Sequence, residues 1–86
     1  MTVRLSDKSK KYLKKLDKHT AKFIIDYLHK IEKLQDPRSQ GKSLVGELSD
    51  LWRYRCGDYR ILCRIQDDIL EILVVKIGHR REVYKR

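Results

Sequence analysis

Trp52-Arg53-Tyr54-Arg55-Cys56-Gly57-Asp58-Tyr59-Arg60-Ile61-Leu62-Cys63-Arg64-Ile65 is the stretch from which the fold can be worked out. Two alternating runs flank Gly57-Asp58, and glycine supplies the positive φ that a two-residue hairpin turn needs. With those two residues as the loop, Cys56 pairs with Tyr59, Arg55 with Arg60, Tyr54 with Ile61 and Trp52 with Cys63. Side chains alternate along a strand, so Arg53, Arg55 and Arg60 share one face. Trp52, Tyr54, Cys56, Tyr59, Ile61 and Cys63 share the other, which is apolar and suited to cover by helices. Like charges directly opposite on a sheet repel. Arg55 facing Arg60 therefore points to an anion held between them, and the guanidinium fork suits phosphate. RNA or DNA is the leading ligand; the plainer alternative is a solvated basic face.

The rest of the composition agrees. Eighty-six residues make one domain, spanning 1–86, with a modest core. A net charge of +9 fits nucleic acid, a membrane surface or an acidic protein as partner. No apolar run reaches membrane-spanning length, and the start of the chain lacks a signal-peptide pattern, so a cytoplasmic protein is expected. Cys56 and Cys63 share a face without being opposite, which suggests reduced core residues rather than a disulfide or a metal pair. His19, His29 and His79 are too dispersed for a zinc motif, so neither metal nor other cofactor is expected.

Outward from the hairpin, Thr2 to Leu5 is a short strand. Ser6 or Asp7 caps a helix through Leu16, with Tyr12, Leu13 and Leu16 inward and a lysine-rich outer face. After a tight link, Thr20 is expected to cap a second helix reaching about Gln35. Its apolar stripe is Phe23, Ile24, Tyr27, Leu28, Ile31 and Leu34. Asp36-Pro37 stops it. Arg38 to Gly46 is predicted as a loop, with Leu44 and Val45 turning back to the core. Asp67-Asp68 then turns the chain into a strand from Ile69 to Ile77, which sets Arg64 opposite Glu71. That strand is apolar on both faces, as a central strand must be. The order βααβββ predicts an α+β fold: an N-terminal strand, then a two-helix hairpin packed on one face of a curved, mostly antiparallel sheet.

A central last strand carries Gly78 to Tyr84 beside the hairpin, so Arg53, Arg55, Arg60, Arg80 and Tyr84 can converge. No carboxylate pair, nucleophilic triad or metal-ligand cluster competes with them as an active site. Metal-free RNA cleavage needs attack by the ribose 2′-OH on the adjacent phosphate. Cations must stabilise the transition state, and a proton must reach the leaving 5′-oxygen. Arginines suit the first task but not the second, because their pKa lies above about 12. Tyr84 and His79 have more accessible pKa values.

In the pattern Leu51-Trp52-Arg53-Tyr54-Arg55, the Gly57-Asp58-Tyr59-Arg60 turn, Asp67-Asp68 and the ending Gly78-His79-Arg80-Arg81-Glu82-Val83-Tyr84, the chain resembles the RelE branch of the RelE/ParE toxin superfamily. Asp36-Pro37-Arg38 followed by Gly41-Lys42-Ser43-Leu44 fits as well, so the resemblance covers nearly the whole chain. It implies a RelE-like microbial RNase fold. It also implies a toxin of a type II toxin–antitoxin system: a metal-independent, ribosome-dependent endoribonuclease that cleaves mRNA in the A site. Its products carry a cyclic or 3′-phosphate and a 5′-hydroxyl. The implied partners are a cognate RelB-like antitoxin, the ribosome and mRNA, with a monomeric free toxin and a higher-order antitoxin complex. Arg53 and Arg55 match the family's basic pair, and Lys42 joins them on RNA. Arg60 matches the phosphate-binding arginine, Arg80 the transition-state arginine, and Tyr84 the tyrosine near the 2′-OH and base. His79 and Arg81 are secondary candidates. Lysines are common in the family where this chain has Arg53 and Arg55. A related branch with a glutamate in the preceding loop is not matched, since Lys42 stands there. The rivals are the ParE branch, which inhibits DNA gyrase by protein contact, and a non-enzymatic nucleic-acid-binding module.

Overall fold

The computed structural model describes residues 1–83; Tyr84, Lys85 and Arg86 lie outside the described residues. Its elements are β1 (Thr2–Leu5), α1 (Asp7–Lys15), α2 (Lys18–Glu32), β2 (Lys42–Ser43), β3 (Trp52–Cys56), β4 (Tyr59–Gln66) and β5 (Glu71–His79). The sheet runs β1-β5-β4-β3-β2. β1 is parallel to β5 and every other pair is antiparallel. The predicted α+β class and the central place of the last strand both hold. Among the described residues no helix is long and apolar enough to cross a membrane.

The hairpin forms in the predicted register, with Arg55 opposite Arg60, Tyr54 opposite Ile61 and Trp52 opposite Cys63. Gly57 takes φ +60°, the left-handed value the turn requires. On one face, Tyr54, Cys56, Ile61, Cys63, Ile72, Val74 and Ile77 pack beneath Leu13 of α1 and Ile24, Leu28 and Ile31 of α2. Both cysteines are buried and free, and burial pushes the Cys63 thiol up to about 12. On the other face a smaller cluster gathers Leu51, Leu62 and Val83, flanked by Leu44, Leu48 and Val75.

Helix ends differ from expectation in physically clear ways. Ser6 caps α1, its hydroxyl accepting from Ser9 N–H at 3.1 Å. Asp17, not Thr20, caps α2: its carboxylate accepts both the N–H and the hydroxyl of Thr20, each at 2.8 Å. A carboxylate at the positive end of a helix is favoured by the dipole, so the helix starts earlier. It closes at Glu32 rather than Gln35, because Lys33 and Leu34 already donate three residues back, to Lys30 and Ile31. Leu34 still packs on the core, whereas Phe23 is 56% exposed and lies outside the buried stripe. Its ring sits over the hairpin turn, near the position a Cβ on Gly57 would occupy.

Three corrections fall in the sheet. The segment expected to be a loop from Arg38 to Gly46 contains β2, whose Lys42 and Ser43 pair with Arg53 and Trp52. Two residues give no periodicity to read. Val45, expected to turn inward, is 88% exposed. The turn after β4 is also wider than Asp67-Asp68. A 3₁₀ turn over Asp67–Ile69 ends on Leu70 at φ +53°, so Ile69 and Leu70 are exposed and β5 begins at Glu71. Gln66 therefore faces Glu71, and Arg64 faces Leu73. Arg64 instead meets Asp50 at 3.2 Å and Glu71 meets Arg4 at 2.9 Å. A register shift at Leu62/Cys63 then sets Lys76 opposite Leu62 and Val74 opposite Cys63.

Candidate active site

The alternation of β3 and β4 places Arg53, Arg55 and Arg60 on the face away from the helices. Lys42, directly across from Arg53, extends the row to the sheet edge. Arg55 is exposed and Arg53 half-buried. Arg53 Nε is buried with no hydrogen-bond acceptor among the described residues. Arg60 is only 7% exposed; its Nη1 donates to the carbonyls of Gly57 at 2.9 Å and Tyr59 at 3.0 Å. These bonds draw the guanidinium to the tip of its own hairpin.

The chain after β5 comes to the same tip. Arg80 N–H donates to the Asp58 carbonyl at 2.7 Å, and Arg80 Nε stands 3.9 Å from the Asp58 carboxylate. Arg60 and Arg80 are thus anchored to successive carbonyls of one two-residue turn. The turn is closed by Glu82 and Val83 N–H bonding the His79 carbonyl, and by Val83 folding over Gly78. Gly78 faces Arg60 across the sheet, and a Cβ there would meet Val83 Cβ at 3.1 Å. The missing side chain leaves room for Val83, which ties the end of the strand to the arginine face.

His79 is not brought to that face. It pairs with Tyr59, which packs on the helix-side core, and the two rings meet edge-on at 5.8 Å. Its Nδ1 accepts from Arg81 N–H at 3.3 Å, while the Arg81 side chain is exposed. Tyr84 lies outside the described residues.

Two tethers could not be seen in the sequence. Trp52 Nε1 donates to the Gln40 carbonyl at 2.8 Å, and the buried Tyr54 hydroxyl donates to the Pro37 carbonyl at 2.6 Å. Burial pushes the Tyr54 pKa well above the ordinary tyrosine value, so it stays a donor. Both aromatics belong to the strand that bears Arg53 and Arg55, and they hold the segment leading to Lys42 against it. A cleft of about 230 Å³ lies there, lined by Tyr27, Gln40, Gly41, Lys42, Arg53 and Arg55. Among the described residues no three His, Cys, Asp or Glu side chains gather as metal ligands.

Residues 3–84 match the model of the ParE toxin of the type II toxin–antitoxin system, parDE. The chain belongs to this toxin family. Within the wider RelE/ParE superfamily, the toxin is 28% identical to Toxin RelG of Mycobacterium tuberculosis over 85 residues, covering 99% of this chain and 97% of that protein. It superposes with a TM-score of 0.82 on a chain of the M. tuberculosis toxin–antitoxin complex RelBE2, at 28% identity, covering 92% of this chain and 96% of that one. A chain of the archaeal RelE–RelB complex from Pyrococcus horikoshii shares the fold at 23% identity and a TM-score of 0.72, covering 95% of this toxin and 97% of that chain.

Proposed function

We propose that this toxin is an endoribonuclease of the RelE type, acting in the cytoplasm on mRNA in the ribosomal A site and neutralised by a cognate antitoxin. The observation that carries the proposal is the anchoring of Arg60 and Arg80 to the Gly57 and Asp58 carbonyls, beside Arg55. A phosphodiester seated at that tip meets cations from two separate segments. The buried Arg53 N–H without an acceptor adds a donor that a phosphate oxygen would satisfy. Likeness to Toxin RelG and to the RelBE2 chain supports the same reading.

In the reaction, the ribose 2′-oxygen attacks phosphorus as its proton leaves. The bond to the 5′-oxygen of the next nucleotide breaks, and that oxygen takes up a proton. The products are a 2′,3′-cyclic phosphate and a 5′-hydroxyl. Arg60 and Arg80 stabilise the extra negative charge of the pentavalent transition state, and they need no bound metal to do so. Arg53, Arg55 and Lys42 hold flanking phosphates. Tyr84 stacks on the base next to the attacking 2′-OH. His79 and Arg81 stay peripheral in this scheme.

Brief induced expression is expected to stop protein synthesis and leave mRNA 5′ ends inside translated frames, spaced by codon. A second reading, gyrase inhibition by protein contact, is favoured by the ParE description of the matched family. It requires the opposite result: intact mRNA, an SOS response and blocked supercoiling. Co-purification of a small acidic protein encoded beside the toxin tests the antitoxin separately.

Tyr84 gives a sharper internal test. Stacking of a base on an aromatic ring contributes about 1–3 kcal/mol, so Tyr84→Ala is expected to slow single-turnover cleavage by ~10- to 100-fold. Tyr84→Phe is expected to retain most of the rate. A loss in Tyr84→Phe as large as in Tyr84→Ala would move the hydroxyl into proton transfer.

A further inference from the structure

β3 keeps a short piece of open edge. The two-residue turn makes Cys56 and Tyr59 a bonded pair, so by alternation the backbone N–H and C=O of Arg53 and Arg55 point away from β4. Arg53 turns its groups to Lys42, where β2 begins, and among the described residues no strand faces the peptide edge of Arg55. Two features keep that edge open. Gly41 bends the chain at φ +83°, and the Trp52 indole draws the Gln40 carbonyl to the helix side at 2.8 Å. The cleft of about 230 Å³ at Lys42 lies along this edge. Lys42, Arg53 and Arg55 stand on one side of it. On the other is Tyr27 of α2, half-buried and set edge-on to Tyr54 with ring centroids 6.3 Å apart. Tyr54 is itself held by its hydroxyl, so the Tyr27 ring has a firm backing.

We infer that this cleft is a nucleobase subsite: it takes one base of single-stranded RNA, held by the Arg55 peptide edge against the ring of Tyr27, while Lys42 and Arg55 meet the neighbouring phosphates. The inference rests on the nuclease reading only in taking RNA as the source of the base. Every RNA base carries an acceptor beside a donor on its Watson–Crick edge, the complement of one N–H and one C=O. The Arg55 edge therefore holds a base without choosing among the four, and the exposed Gln40 amide at the rim is placed to choose. The cleft is smaller than the ~300–1,000 Å³ of pockets that enclose drug-sized ligands, which suits a single planar group. An extended peptide is the other occupant such an edge pairs with, but strand addition gains by repeating its bonds. Arg55 is one open position before Gly57 turns away at φ +60°, so a peptide gains a single residue of ladder there. The cleft opens at the β2 end of the arginine row, whereas Arg60 and Arg80 are anchored at the hairpin tip. The base thus belongs to a nucleotide flanking the scissile one.

The test uses a trinucleotide with 2′-O-methyl riboses, which cannot be cleaved, an abasic form with the same phosphates, and an extended valine–threonine peptide. Binding to the full chain is followed by NMR at the Arg55 amide and the Tyr27 ring. The trinucleotide should shift both, slow exchange of the Arg55 amide and show cross-relaxation between a base and the Tyr27 ring. It should bind at least ~5-fold more tightly than the abasic form, the low end for one stacked base. Tyr27→Leu should weaken the trinucleotide by at least ~5-fold but the abasic form by less than ~2-fold, because every cation remains. Tyr27→Phe, which keeps the ring, should recover most of the affinity. If circular dichroism shows Tyr27→Leu unfolded, the parental spectra decide: an Arg55 amide and Tyr27 ring that ignore the trinucleotide overturn the inference. A folded Tyr27→Leu with parental affinity overturns it too, as does a peptide that moves the Arg55 amide when the trinucleotide does not. Cleavage assayed alongside separates the two readings. Cutting without a response at Arg55 and Tyr27 removes the subsite alone, and a response without cutting removes the nuclease alone.

Discussion

Arg60→Ala and Arg80→Ala are each expected to slow mRNA cleavage by at least ~100-fold, because a preorganised cation at developing charge contributes about 3 kcal/mol. The two substitutions differ in what else they disturb. Arg80 is exposed, and its hydrogen bond to the Asp58 carbonyl is a backbone bond, so alanine keeps that bond and removes the guanidinium with its 3.9 Å ion pair to the Asp58 carboxylate. Arg60 also bonds the carbonyls that shape its hairpin, so part of its loss comes from a loosened tip. Arg60→Lys separates these parts. It restores a charge but not the planar fork, and should recover only a fraction of the rate. Single-turnover cleavage on programmed ribosomes, with ribosome binding measured alongside, reads the difference. If both alanine variants fold, bind the ribosome and cut at the parental rate, the arginines are a docking surface, and the nuclease reading gives way to a binding module.

The second large effect is structural. Gly41 stands at φ +83°, and a Cβ there would lie 2.4 Å from the Arg53 carbonyl oxygen and 2.6 Å from Trp52 Nε1. Neither neighbour can yield, because the carbonyl is strand backbone and the indole donates to Gln40. Gly41→Ala should therefore lift β2 off β3, breaking the Lys42–Arg53 pairing. Left-handed strain and overpacking together suggest a loss of about 2–4 kcal/mol. In a domain of this size that lowers Tm by ~10 °C or more. Gly46→Ala is the control: φ is +69°, but nothing lies within 4 Å of its Cβ. It should cost only the conformational strain, about 1–2 kcal/mol. Thermal unfolding orders the two, and amide exchange at Lys42 and Arg53 reports whether β2 has come away. Equal Tm values for the two variants would mean that β2 is not held by contact at Gly41.

How much of this was legible beforehand follows from the range of the interactions. The hairpin was readable because a two-residue turn leaves no freedom in register: once Gly57-Asp58 is the loop, every pair from Cys56–Tyr59 to Trp52–Cys63 is decided. The central place of β5 was readable from residues apolar on both faces, and α1 from its cap and lysine flank. The Arg64–Glu71 pairing failed because a left-handed Leu70 widens a turn whose residues, Asp67-Asp68-Ile69-Leu70, carry no signal for that conformation. β2 escaped because two residues show no period, and it exists only where Trp52 and Tyr54 fasten the chain beside it.

By itself, then, the sequence determined the α+β class, the hairpin register and the grouping of Arg53, Arg55 and Arg60 on one face, since each follows from alternation and turn chemistry within a short span. Only the tertiary structure decided that Arg60 and Arg80 meet at adjacent carbonyls of one turn, that His79 faces the helix side, and that Tyr27 borders the open edge of β3. Those arrangements depend on where distant segments pack. Val83 settles over a side-chain-free Gly78, and Trp52 draws Gln40 to the helix side; neither contact can be inferred from the spacing of the residues that make it.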